Sequence, residues 1–468
     1  MNIEKKRNMD RVPFGIDELD KVIGGGLPRN SLILLSGNAG TGKTILSTQF
    51  LHNGVAQYDE KGIYVSFAED KVDYFQNMEK LGIDMRSLEE KNLFKFMDFA
   101  TMDEAGMKKA VEMVFDTVFN FGAKRLVIDS LSALLQTFGL SEARIFLHSV
   151  LSRLVKGMGV TAIVIGEMPY GENKTEFGVE EFIADGVIRL RHILSEKVTQ
   201  RILEIPKMRG TSLGHTSLEY LIDRRYNGLG FIVLPTRPAR EITVESAPTD
   251  KLNTGIEGLD AMLSGGVFRS SVTLVEGAPG IGKTTLCLYF LLNNAEKGEK
   301  ALFVSFEEPV GQITRMLQGL GVEFEQLKEK FRIQAFIPEA MSPLHYYRML
   351  KDIIDLFQPT VLGIDSVSAI QHTFPEVGFI EFMRYFQLLC KEKNLTAFLT
   401  STLRMQQTES HSGISALADN IILMRYRELK DKLLREILIL KTRGSAHEKR
   451  VLSFDITDKG LIIHPRRA

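Results

Sequence analysis

The chain has 468 residues, of which 44% are hydrophobic and 25% charged, with 58 basic and 59 acidic side chains and a formal net charge of −1. That length suits two or three domains, and that balance belongs to ordinary globular proteins, so disordered and fibrous classes are excluded. Near neutrality argues against the broad basic field of a dedicated nucleic-acid binder, and two distant cysteines in apolar surroundings, Cys287 and Cys390, exclude a disulfide framework.

The N-terminal stretch MNIEKKRNMDRVPFG has no apolar run and does not read as a signal peptide. No segment reaches the ~18 apolar residues of a membrane span, so a cytoplasmic protein is expected. In chain order, Ser31–Ser36 reads as a strand, Lys43–Ala56 as a helix, Gly62–Phe67 as a strand and Lys71–Leu81 as a helix. Glu104–Phe121 reads as a helix, Arg125–Ile128 as a buried strand, Ser141–Gly157 as a helix and Val160–Gly166 as a strand. Strand-like Arg201–Pro206 and Gly228–Leu234 close this half. Pro235–Leu252 carries three prolines and mixed charge without helical period, as a linker does. The order then repeats with Ser271–Glu276, Lys283–Lys297, Ala301–Phe306, Thr360–Ile364 and Leu395–Thr400, and ends in Arg435–Leu440 and Gly460–His464. Short apolar strands alternating with helices predict an α/β fold, a mainly parallel sheet flanked by helices in each half.

The repetition is also literal. GIDELDKVIGGGLPRNSLILLSG begins at Gly15 and GIEGLDAMLSGGVFRSSVTLVEG at Gly255, 240 residues later. Lys43 and Lys283 keep that offset, Asp129 and Asp365 are 236 apart, and Lys207 and Lys441 are 234 apart. One unit is therefore written twice, with domains expected over 1–236 and 251–468 and a linker over 237–250.

Each unit carries a G-x4-G-K-T loop between a strand and a helix. The first is Gly37, Asn38, Ala39, Gly40, Thr41, Gly42, Lys43 and Thr44; the second is Gly277, Ala278, Pro279, Gly280, Ile281, Gly282, Lys283 and Thr284, followed by Thr285. Glycines let successive backbone N–H groups turn toward phosphates, and the following helix adds its positive end. Lys43 and Lys283 would reach the β- and γ-phosphates of ATP, and the hydroxyls of Thr44 and Thr284 would hold Mg²⁺. Further along, RLVIDS and VLGIDS place Asp129 and Asp365 at strand ends, where they would complete the Mg²⁺ shell through water. SFAED and SFEEP offer Glu69, and Glu307 with Glu308, as acceptors for the proton of an attacking water. Glu308 is the repeat partner of Glu69, and Ala68 stands where Glu307 does.

With two such loops, each preceded by GI-x-x-LD…GG, with IDS-x-SA strand ends and with K-x-RG late in each half, nearly the whole chain resembles the KaiC family of RecA-like ATPases. More distantly it is similar to RecA, RadA and the replicative helicases. The resemblance implies tandem RecA-like P-loop domains, a two-layered homo-oligomer, a hexamer, with ATP at each subunit boundary, and a regulatory protein partner not named by the sequence. It implies that Lys207 and Arg209, and Lys441, Arg443 and His447, reach the neighbouring subunit's nucleotide; His215 is a weaker match in the first half. Clock members phosphorylate an adjacent Ser-Thr pair, and here Ser415 matches the serine while Ala416 replaces the threonine, which removes the two-site cycle. The chain ends at Ala468, just past its last expected strand, so the family's long partner-binding tail is not expected.

Three functional readings follow, beside that of a nucleotide sensor that binds without catalysis. The leading one is a nucleotide-driven ATPase acting in assembly and signalling. The alternatives are a serine autokinase with Ser415 as acceptor, and a DNA-dependent recombinase or helicase relative. Leu131–Glu142 and Val367–Phe379, the stretches after the IDS motifs, contain no lysine or arginine, which counts against nucleic acid.

Overall fold

A computed structural model of the chain describes residues 10–99, 104–132, 152–169, 180–195, 198–214, 216–222, 231–233, 248–322, 324–338, 342–373, 376–403, 417–429, 432–457 and 460–464. The chain forms two compact units, Met1–Thr236 and Arg237–Ala468. Most of the expected linker, 237–250, lies outside the described residues, as does the first part of the helix expected at Ser141–Gly157, of which Ser152–Met158 is helical.

Each unit is built on a nine-stranded sheet. In the first, the strands are β1 (Leu32–Gly37), β2 (Gly62–Ser66), β3 (Phe94–Asp98), β4 (Arg125–Asp129), β5 (Thr161–Glu167), β6 (Gly186–Ser195), β7 (Val198–Met208), β8 (Ser217–Ile222) and β9 (Phe231–Val233). In the second they are β10 (Val272–Gly277), β11 (Ala301–Ser305), β12 (Phe331–Ala335), β13 (Val361–Asp365), β14 (Thr396–Thr402), β15 (Asn420–Leu429), β16 (Lys432–Thr442), β17 (Leu452–Thr457) and β18 (Gly460–His464). The spatial orders, β9-β8-β7-β6-β1-β5-β4-β2-β3 and β18-β17-β16-β15-β10-β14-β13-β11-β12, are the same topology. In each unit six neighbouring strands run parallel and the remaining three extend the sheet antiparallel. This is a doubled RecA-like architecture.

The reason lies in strand composition. LILLSG and VTLVEG are buried along their whole length, as central strands covered on both faces must be. In the first unit the buried side chains sort into two clusters, one holding Ile33, Leu35, Tyr64 and Val127, the other Leu32, Leu34, Ile63 and Leu126. Alternate residues of the same strands thus feed opposite faces of the sheet. Edge strands β3 and β12 (FKFMD, FRIQA) bury only some of their residues, so their charged positions masked them in the linear reading.

One buried ion pair belongs to the first unit. Arg125, at the start of β4, is fully buried; its Nε donates to Glu60 Oε2 at 2.8 Å and its Nη1 to the carbonyls of Pro13 at 2.8 Å and Phe50 at 2.7 Å. Gly54 of the helix Lys43–Tyr58 makes room, since a Cβ there would meet the guanidinium. The repeat partner of Arg125 is Val361, so the second unit does without this anchor. Arg125→Ala is expected to destabilise the first unit by about 3–5 kcal/mol, because it empties the site of a fully buried side chain and takes the donor from two carbonyls, while Glu60 keeps Arg29 as a partner, and to leave the second unit's melting in place. Unfolding followed by hydrogen exchange reads both units separately; equal protection in both would contradict the assignment.

Candidate nucleotide site

In each half the glycine loop lies at the carboxyl end of the central strand β1 or β10 and runs into a long helix, Lys43–Tyr58 or Lys283–Glu296. Gly42 and Gly282 cap those helices at φ 93° and 114°, a region that costs any L-residue strain. A Cβ on Gly42 would also stand 2.5 Å from Ile222 Cδ1, and one on Gly282 would collide with Ile456 Cδ1. The antiparallel extension therefore braces the loop from the side, and Tyr220 on β8 donates its hydroxyl to Thr41 O at 2.6 Å.

Within the loops Lys43 Nζ donates to Gly37 O at 2.8 Å and Asn38 O at 3.0 Å, and Lys283 Nζ to Gly277 O at 2.9 Å and Ala278 O at 3.0 Å. The two ammonium groups thus fold back over the loop, where phosphate oxygens would compete for them. Burial lowers the pKa of both, and carboxylates oppose that shift: Glu167 and Asp129 around Lys43, Asp365 and Glu307 around Lys283. In the first half Asn38 Nδ2 further donates to Met168 O at 3.0 Å, tying the loop to the end of β5.

Asp129 and Asp365 end β4 and β13, two strands away from the loop strand, and both are buried. Thr44 Oγ1 donates to Asp129 Oδ2 at 3.1 Å and Thr284 Oγ1 to Asp365 Oδ2 at 2.8 Å. So the structure brings together hydroxyl and carboxylate that the sequence separates by 85 and 81 residues. A hydroxyl beside a carboxylate is an all-oxygen donor set of the kind Mg²⁺ takes, so these residues fit the ion. Burial raises the pKa of both carboxylates, and hydrogen bonds pull it back: from Tyr64 and Thr44 at Asp129, from Thr400 and Thr284 at Asp365.

The strand-end glutamates lie one strand further out, after β2 and β11. Ser66 Oγ accepts from Glu69 N at 3.0 Å, and Ser305 Oγ accepts from Glu308 N at 2.8 Å, so the two turns are built alike. The Glu69 carboxylate accepts from Asn77 Nδ2 at 2.8 Å; burial raises its pKa, which suits a proton acceptor. Glu307 accepts a hydrogen bond from Ser366, next to Asp365.

Lys207, Arg209, Lys441 and Arg443 stand elsewhere. Lys207 Nζ donates to Glu181 O at 3.0 Å and Lys441 Nζ to Ala418 O at 2.7 Å. Arg209 pairs with Asp185 at 3.0 Å, and Arg443 with Asp419 at 3.4 Å. Those two aspartates accept from Leu32 N and Val272 N, the first residues of the central strands. The basic pair thus marks the amino end of the strand whose carboxyl end carries the loop. Five residues at ~3.3 Å each put them about 16 Å from the loop of their own half. His447 is half-buried; His215, Ser415 and Ala416 lie outside the described residues.

Linear reading missed Tyr64, Thr400 and Glu167. Glu167 ends β5 in register with Gly37, and its signal, an acid closing the apolar run VIGE, was available. Tyr64 and Thr400 read as core strand residues. Among the described residues no helix is long and apolar enough to cross a membrane, and no group of histidine, cysteine and acidic side chains could hold a metal alone.

The fold and these sites define a tandem P-loop protein of RecA-like type. The family model described as "ATPase: KaiC" matches residues 12–233 and again 252–468. The chain is 32% identical over 470 residues to the "Circadian clock oscillator protein KaiC" of Prochlorococcus marinus (strain MIT 9313), covering 97% of this chain and 92% of that protein. It is 32% identical to the protein of the same description from Picosynechococcus sp., over 98% of this chain and 90% of the relative, and 33% identical to that of Thermostichus vulcanus, over 98% and 89%. The chain belongs to the KaiC family of ATPases, with the family domain present twice.

Proposed function

We propose that the chain is a Mg²⁺-dependent ATPase that assembles head to tail into a ring of six and signals its nucleotide state to a protein partner. The supporting observation is the separation just described. Within one half, Lys207 with Arg209, or Lys441 with Arg443, sits at the opposite end of the central strand from the glycine loop and cannot neutralise a triphosphate held there. A neighbour's copy of that basic edge can, and a contact joining two different faces repeats into a ring when its rotation closes, as the proposal has it. The domains 1–236 and 251–468, with 237–250 between, would then each supply one tier.

In this reading the loop amides and Lys43 or Lys283 bind the phosphates. Thr44 with Asp129, and Thr284 with Asp365, would hold Mg²⁺, which when bound would supply charge neutralisation of the phosphates. Glu69 and Glu308, the latter beside Glu307, accept a proton from water as its oxygen bonds to the γ-phosphorus and the β–γ bridging bond breaks to ADP. Measuring assembly mass with and without ATP alongside phosphate release tests the proposal. A shift to a sixfold mass with steady release is expected; a monomer that releases no phosphate would end it.

The pair Glu307–Glu308, present only in the second half, motivates a second reading, in which Glu308 deprotonates Ser415 Oγ for phosphorylation. Labelled ATP followed by mass spectrometry separates the two. Phosphate on Ser415 makes the chain an autokinase as well, whereas an unmodified chain that still releases phosphate is an ATPase alone.

A further inference from the structure

The two halves share a topology but do not hold their metal-side carboxylates in the same way. Both β4 and β13 lie between two parallel strands, β2 and β5 in the first half, β11 and β14 in the second. In the first half, Tyr64 on β2 donates its phenol to Asp129 Oδ2 at 2.5 Å, joining Thr44 on the same oxygen. In the second half, Thr400 on β14 donates to Asp365 Oδ1 while Thr284 donates to Oδ2. Strand registers identify the counterparts. Tyr64 corresponds to Phe303, and Thr400 to Ile165; both counterparts are buried and lack a donor. The hydroxyl has changed sides of the strand while the acid has stayed in place.

From this geometry, and resting on the ATPase reading above, we infer that Tyr64 and Thr400 are positioning residues, each fixing the carboxylate that its half turns toward Mg²⁺. Tyr64 is suited to this. Its ring is wedged between Tyr74 and Phe96, at centroid distances of 4.7 and 5.5 Å, so the phenol has one orientation. A buried hydroxyl must find a partner, and the acid is that partner. When the Thr44 hydroxyl turns to a cation, the phenol remains on Oδ2 and keeps the carboxylate from rotating away. Thr400, on a β-branched side chain with little χ1 freedom, does the same from the other neighbour. Each tier thereby has its own setting for metal affinity, because the donors differ in geometry and in which carboxylate oxygen they occupy.

The test uses the full chain with the second site silenced by Lys283→Ala, so that the first half is read alone. Manganese binding is followed by electron paramagnetic resonance in the presence of a non-hydrolysable ATP analogue, and metal-free binding of a fluorescent analogue is measured in EDTA. Tyr64→Phe is expected to weaken Mn²⁺ by about tenfold and to leave metal-free nucleotide affinity as it was. Adding Ile165→Thr to Tyr64→Phe moves the second half's donor into the first and is expected to restore Mn²⁺ affinity. Thr400→Val in a Lys43→Ala chain is expected to reproduce the metal-specific loss in the other half, and it decides the matter if Tyr64→Phe does not fold. Unchanged Mn²⁺ affinity in both hydroxyl variants would overturn the inference, as would equal losses with and without metal. A Lys283→Ala parent that binds no nucleotide would instead overturn the ATPase reading, a result visible before any hydroxyl is removed.

Discussion

Phosphate release is expected to fall by about a hundredfold or more in a chain carrying both Lys43→Ala and Lys283→Ala, with both sheets intact. Each ammonium is the one cationic side chain of its loop. Lys43 is half-buried and Lys283 buried, each with its Nζ resting on two carbonyls of its own loop and carboxylates nearby. In the ATPase reading proposed above, removing either ammonium takes one positive charge away from the phosphates as charge develops on the leaving ADP. The single variants should each retain the other half's turnover, which divides the measured rate between the halves. Colorimetric phosphate release under saturating ATP and magnesium is sufficient; undiminished turnover in the double variant would rule out catalysis at these loops.

The second large effect concerns Arg209 and Arg443. A chain carrying Arg209→Ala and Arg443→Ala is expected to lose about a thousandfold in turnover, as arginines supplied across a boundary do in phosphoryl transfer. Their ion pairs with Asp185 and Asp419 are exposed, so folding stability should change by no more than about 1 kcal/mol. The decisive measurement is mixing. In the proposed ring, neither this variant nor the Lys43→Ala, Lys283→Ala chain is expected to work alone, but in rings mixed from equal amounts about a quarter of boundaries would pair an intact loop with an intact arginine. Recovered turnover on mixing is the expected result. Two inactive chains that stay inactive together would show that the basic edge does not act between subunits.

Much of this was legible along the chain. Gly37–Thr44 and Gly277–Thr284 announce themselves because phosphate binding by backbone amides demands small residues at fixed local spacing, a constraint confined to eight neighbouring positions. The strand ends at Asp129 and Asp365 were legible for a similar reason, since a central strand buried on both faces writes a continuous apolar run and its first acid marks the edge. The exact doubling of these signals made the domain count readable without any structure. Edge strands β3 and β12 were not readable, because a strand with one covered side carries a pattern that charged residues interrupt.

What the sequence by itself determined, then, is the pair of RecA-like units, the two glycine loops between strand and helix and the strand-end acids, all properties of contiguous residues. Only tertiary structure decided that the basic edge lies at the far end of the strand from the loop, that Arg125 anchors one unit alone, and that Tyr64 and Thr400 hold corresponding acids from opposite sides. Those facts depend on which strands become neighbours. Tyr64 meets an acid 65 residues away and Thr400 one 35 residues away. Neither pairing leaves a local trace, because a buried tyrosine or threonine in a strand looks the same whether its hydroxyl faces a carboxylate or a carbonyl.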